Sequence, residues 1–296
     1  MNFQIWGLSG SLHTQDSNQM SFAEDRLHYW ITAVDQACNR FHIDSEVSRL
    51  NRGEGTVELS DTLTLALSAA QRASDLTEGL CDPTVLASLE ALGYDRDYDT
   101  LGTLDDSPVE LAPSPGFASL HFDDATRSVF KTPQWRIDLG ASAKALLADL
   151  VANDVAPGGG VVVEIGGDVS ARGQGPEGPW VIGIAETLVI TGEEPRITLQ
   201  DGAIATSSNE VRTWRRGEIV VGHIIDPRTG RSAQSLYAAA TVIDTDCVAA
   251  NAFATAALLW GEDAGWHIAQ AGRSARLVRH DGTVEIVGAW PREEAA

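Results

Sequence analysis

At 296 residues, 43% of them hydrophobic and 21% charged, the chain is composed as a folded protein, long enough for one large α+β domain or two lobes around a cleft. Its formal net charge of −21 sets it against nucleic acids and anionic membrane surfaces. A phosphorylated small molecule is admitted only where a cation, a helix N-terminus or a metal reverses the sign locally.

From the N-terminus, FQIWG predicts a strand, and the apolar spacing from Phe22 to Asn39 predicts a core-facing helix. The opening residues lack a charged start followed by an apolar run, and no window is long enough for a membrane span, so the protein reads as soluble and cytoplasmic. After FHIDSEVSRLN (41–51), Ser60 stands where it caps a helix running through Thr77, with Leu63, Leu67, Ala70 and Ala73 on one face and Gly79 as its stop. CDPTV (81–85) leads into a shorter helix, and 94–135, rich in Asp, Pro and Ser, reads as turns and edge strands. RIDLG (136–140) predicts a strand ending at Gly140; the helix of ASAKALLADLVAND then places Lys144 in its first turn, where a cation suits phosphate. VVVEIGGD (161–168) predicts an apolar strand whose paired glycines permit close backbone approach. WVIGIA (180–185) and RITLQDGAIATSS (196–208) read as further strands. HIIDPRTG (223–230) and a final strand around AAATVID precede a helix from Asp246 to Trp260, closed by Gly261. With no repeat and no linker, residues 1–296 read as one domain. Cys38, Cys81 and Cys247 are odd in number and widely spaced, which gives neither a zinc cage nor a disulfide framework.

Taken one at a time, the motifs stay ambiguous. IGGD serves equally as a plain turn, Asp226 as an acceptor for backbone N–H groups, and Lys144 as a solvated charge. Asn251 and Thr255, one helical turn apart, serve equally as a polar patch. Their order carries more. Asp44-Ser45-Glu46-Val47-Ser48-Arg49-Leu50-Asn51, Thr77 to Val85, Asp138-Leu139-Gly140-Ala141-Ser142-Ala143-Lys144, Ile165 to Gly173, Ala205-Thr206-Ser207 and His223 to Gly230 occur in sequence. With the late helix bearing Thr255, they resemble the ApbE family of FAD:protein FMN transferases over nearly the whole chain.

That resemblance implies a T-fold-like α+β architecture, one large domain with a cleft that holds FAD and a Mg²⁺ site beside the pyrophosphate. It implies transfer of FMN to a Thr or Ser hydroxyl of a client protein with release of AMP, and membership of a family often exported. Carried over position by position, it implies cofactor contacts from Phe41, the Leu80-Cys81-Asp82 run, Asp138, Lys144 and Ile225. Metal oxygens are implied from the Ala141 carbonyl, Asn251 and Thr255. Lys144 is then the protein cation that meets the pyrophosphate, and His223 fits either a general base or a structural side chain. The departures are Trp6-Gly7-Leu8 for Met-Gly-Thr, Phe41 for Tyr or Trp, Ala145-Leu146 for Gly-Tyr, and Ser208 at the end of TSG. Asn251 replaces an aspartate metal ligand, and an amide oxygen coordinates without bringing charge. An FAD-binding carrier or sensor without transfer activity, and a Mg²⁺-dependent FAD pyrophosphatase in which water replaces the client hydroxyl, are the alternative readings.

Overall fold

A computed structural model describes residues 1–185 and 191–293. The chain forms two compact units, one from Met1–Thr32, Lys144–Ser208 and Ser235–Ala296, the other from Ala33–Ala143 and Asn209–Gln234.

The first unit is built on an eight-stranded sheet in the order Asn2–Ile5, Leu8–Thr14, Val161–Ile165, Asp168–Arg172, Gly202–Ser208, Tyr237–Asp244, Ser274–Arg279, Val284–Val287. Every neighbouring pair is antiparallel. Gly166 and Gly167, with φ of +58° and +90°, are the two-residue turn that joins Val161–Ile165 to Asp168–Arg172. A turn with both central residues at positive φ matches the strand twist. A Cβ on Gly166 would also stand 2.7 Å from Leu8 Cδ1. VVVEIGGD is therefore a strand and a hairpin turn, and the turn delivers Asp168 to a buried position.

The helix Cys247–Trp260 begins at Asp246, whose Oδ1 accepts from Ala249 N–H at 3.0 Å, and stops at Gly261 (φ +64°). Six of its fourteen residues are alanine and it is buried almost all round, which lets it lie close on the strands Gly202–Ser208 and Tyr237–Asp244. A second carboxylate fixes its start. Asp149 accepts from Cys247 N–H at 2.9 Å, Val248 N–H at 3.2 Å and the Ser170 hydroxyl at 2.7 Å.

One sequence expectation is refined here and one fails. RITLQDGAIATSS is two strands, Arg196–Leu199 and Gly202–Ser208, separated by Gln200 and Asp201, with Gly202 entering the second strand at a φ of +134°. AAATVID lies in the strand Tyr237–Asp244, but two further strands follow it and extend the sheet.

The second unit carries the helices Glu46–Arg52, Asp61–Leu76 and Leu86–Ala91, the three-stranded sheet Gly55–Glu58, Ser128–Lys131, His121–Asp123, and the hairpin Thr213–Arg216 with Ile219–Gly222. Ser60 caps its helix as expected, its Oγ accepting from Leu63 N–H at 3.1 Å. Gly79 (φ +84°) closes the other end, its N–H donating to the Ser74 carbonyl at 2.8 Å. RIDLG is not a strand. Ile137 instead exchanges two 2.8 Å hydrogen bonds with the Asn51 side-chain amide, and Asp138 N–H donates to the Pro83 carbonyl at 2.8 Å. The core here gathers Leu86, Leu89, Leu92, Tyr94, Trp214, Val221 and Ile225.

Candidate functional site

In the sheet unit, Lys144 lies in the first turn of the helix Ala143–Val155. Its Nζ donates to Asp168 Oδ2 at 3.0 Å, and Asn251 Nδ2 donates to Asp168 Oδ1 at 3.0 Å. Asp168 is 1% exposed, so one buried carboxylate organises both residues. Thr255, one turn beyond Asn251, shares a 3.1 Å hydrogen bond with the Ser207 hydroxyl. Thr206 N–H donates to the Gly167 carbonyl at 3.1 Å, which joins the ATS segment to the IGGD turn. Four segments far apart in sequence thus form one polar cluster. Asp168 was not among the expected site residues; the signal was its place at the end of IGGD.

Burial, with Asp168 and Asp149 nearby, pushes the Cys247 thiol well above its usual range, which leaves it inert. Glu164, whose Oε1 accepts from Gly167 N–H at 3.1 Å, is likewise raised, first by burial and then by Asp168.

No group of three or more His, Cys, Asp and Glu side chains suited to a metal occurs among the described residues. Because the amide nitrogen of Asn251 is spent on Asp168, its oxygen is the atom left for a cation. With the Thr255 hydroxyl, it offers neutral hard donors. Such a set fits Mg²⁺ that is held largely by the phosphates of a substrate and by water.

The other unit holds most of the expected cofactor contacts. Asp138 Oδ1 accepts from Gly140 N–H at 2.6 Å, and Oδ2 is ion-paired with Arg40. Phe41 is 40% exposed. Leu80, Cys81 and Asp82 are buried in the turn after Thr77, where Cys81 N–H donates to Thr77 Oγ1 at 2.9 Å. The Asp82 carboxylate accepts from Thr84 N–H at 2.7 Å, Thr84 Oγ1–H at 2.6 Å and Phe117 N–H at 2.9 Å. Its side chain is committed to the loop, so any cofactor contact from Asp82 falls to its backbone.

Ile225 packs in the apolar cluster with Tyr94 and Trp214. His223 is half-buried next to Gly222, whose N–H donates to the Ser232 hydroxyl at 2.8 Å. Asp226 takes the Arg228 guanidinium at 2.8 and 2.9 Å; burial works to raise its pKa, but the Arg228 contacts outweigh it and the net direction is down. That aspartate holds the turn. Ala141 is exposed in the turn leading to Ala143, whose N–H donates to the Leu139 carbonyl at 2.8 Å. Phe41, Leu80, Cys81, Asp82, Asp138, Ala141, His223 and Ile225 therefore belong to one unit, and Lys144, Asn251 and Thr255 to the other.

Together these features define a mixed helix-and-sheet fold shared with solved ApbE structures. The chain superposes on the ApbE protein of Thermotoga maritima with a TM-score of 0.81 and 26% identity, over 97% of this chain and 96% of that one. It shares the fold of the apo flavinyl transferase ApbE of Pseudomonas stutzeri with a TM-score of 0.77 at 21% identity, over 100% and 93% of the two chains. A FAD:protein FMN transferase of Vibrio cholerae is 31% identical over 265 residues, 86% of this chain and 78% of the relative. A FAD:protein FMN transferase of Rhodobacter capsulatus is 33% identical over 216 residues, 70% of this chain and 40% of the relative. The model of the ApbE family matches residues 7–277, and the chain belongs to that family.

Proposed function

We propose that the protein is a FAD:protein FMN transferase that moves FMN from FAD to a Thr or Ser hydroxyl of a client protein and releases AMP. The observation that carries this reading is Lys144, an ammonium held at 3.0 Å by a buried carboxylate within the polar cluster of a family whose relatives bear this name. The hydroxyl oxygen of the client attacks the phosphorus of the FMN half. A new P–O bond forms, the bond to the bridging oxygen breaks, and that electron pair leaves on the phosphate of AMP. Lys144 meets charge on the phosphoryl oxygens, where a protein cation stabilises the transition state. His223 is the candidate to take the hydroxyl proton. Bound Mg²⁺, with Asn251 and Thr255 as oxygen donors, would neutralise pyrophosphate charge.

Asn251 favours one second reading, a carrier that binds FAD without turning it over, since a neutral ligand weakens cation binding. Incubation with FAD, Mg²⁺ and a client protein separates the readings. Covalent flavin on the client with AMP in equal amount supports transfer, AMP with free FMN only indicates hydrolysis, and intact bound FAD indicates a carrier.

A further inference from the structure

Arg40 precedes Phe41 and its side chain is only 8% exposed. Its Nε pairs with Asp138, while the guanidinium lies 4.1 Å from the Phe41 ring centroid and 4.6 Å from that of Tyr94. The two rings touch, with centroids 5.6 Å apart, and Tyr94 is backed by Tyr98 and Trp214. The guanidinium is thus fixed by two aromatic faces and one carboxylate. Buried charged donors are ordinarily matched, yet Arg40 Nη2 is buried and has no hydrogen-bond partner among the described residues.

The missing acceptor must suit this setting. Asp138 already balances the charge of Arg40 and opposes a phosphate at that range, so the acceptor is neutral. The exposed face of Phe41 favours something flat. The edge of a heteroaromatic ring meets both conditions, with a carbonyl or ring nitrogen accepting from Nη2 and a ring N–H donating to Asp138.

We propose that Arg40 and Asp138 together read the donor–acceptor edge of one of FAD's two ring systems, the imide edge of the flavin or the amino-pyrimidine edge of adenine. The identity of the ligand rests on the transferase reading. Binding of FAD, FMN and AMP to the full chain is measured by calorimetry for wild type, Arg40→Lys and Arg40→Met, with thermal melting to confirm folding. Arg40→Lys keeps the charge beside Asp138 but loses the planar fork, so it tests recognition apart from folding. The expected result is FAD binding weakened about tenfold or more in Arg40→Lys, and the same loss for FMN or for AMP but not for both, which names the ring. Unchanged FAD affinity in either folded variant, or equal losses for FMN and AMP, overturns the proposal. Failure of the wild-type chain to bind FAD at all overturns the transferase reading itself, and the inference with it, so the two failures are distinguishable.

Discussion

Asp168 and Asp138 are both low-exposure aspartates joined to a cation, but they differ in what their partners have left to give. Asp168, 1% exposed, takes Lys144 on one oxygen and Asn251 on the other. Asp138, 12% exposed, takes Gly140 N–H and Arg40, and Arg40 keeps one buried donor unspent. The first arrangement fixes the positions of two side chains. The second has hydrogen-bonding capacity for an incoming group. Buried ion pairs are poor evidence of stability in themselves, because desolvation offsets the Coulomb gain. What distinguishes the two regions is that the unmatched donor of Arg40 is buried, whereas the Lys144 ammonium is part-exposed.

The largest break in the Asp168 cluster is Asp168→Ala, which strands the Lys144 ammonium and the Asn251 amide. We expect a loss of about 3–5 kcal/mol in urea unfolding; a loss below about 1 kcal/mol would show that the cluster is not coupled as drawn. Asn251→Asp sharpens the comparison by placing a second carboxylate against Asp168. Without metal the variant should lose about 2–3 kcal/mol, and Mg²⁺ should raise its melting temperature more than that of wild type. Identical melting of the two proteins with and without Mg²⁺ would contradict the placement of residue 251. In the other unit, Asn51→Ala removes both bonds to the buried Ile137 backbone and should cost about 2 kcal/mol. An unaltered unfolding midpoint would mean that the RIDLG segment is held by something else.

The smallest effect concerns pH. Burial raises the Glu164 pKa, so its ionised form is disfavoured in the folded state. The unfolded chain then releases this proton at lower pH than the folded one, and wild type loses stability as pH rises through the carboxylate range toward the raised value. Glu164→Gln keeps an oxygen for Gly167 N–H but has nothing to titrate. Its melting temperature should gain on wild type as pH rises above about 4, the ordinary glutamate range. A constant difference over that rise would count against this account.

Much of this was legible in local chemistry. Ser60, Asp246, Gly79 and Gly261 act at helix ends as side-chain and backbone rules require. RIDLG misled because its alternation says nothing about its partner, which is the amide of Asn51 and not a ladder. AAATVID is not the last strand, and the signal was present in Asp281-Gly282, a turn pair between the apolar runs that form Ser274–Arg279 and Val284–Val287. Within the site, the IGGD glycines drew attention from the aspartate that follows them. Arg40 could not be found by motif. Its role depends on Phe41, Tyr94 and Asp138 converging, with Tyr98 and Trp214 behind, and positions so distant in sequence are joined only by the fold.

The most direct test of the central claim is mass spectrometry of the acceptor protein of the Vibrio cholerae relative after incubation with this protein, FAD and Mg²⁺. The account predicts an acceptor heavier by one FMN less water, with one AMP formed per adduct and neither product with Lys144→Ala. An acceptor of unchanged mass beside unconsumed FAD, with the protein shown to be folded and FAD-bound, would contradict it.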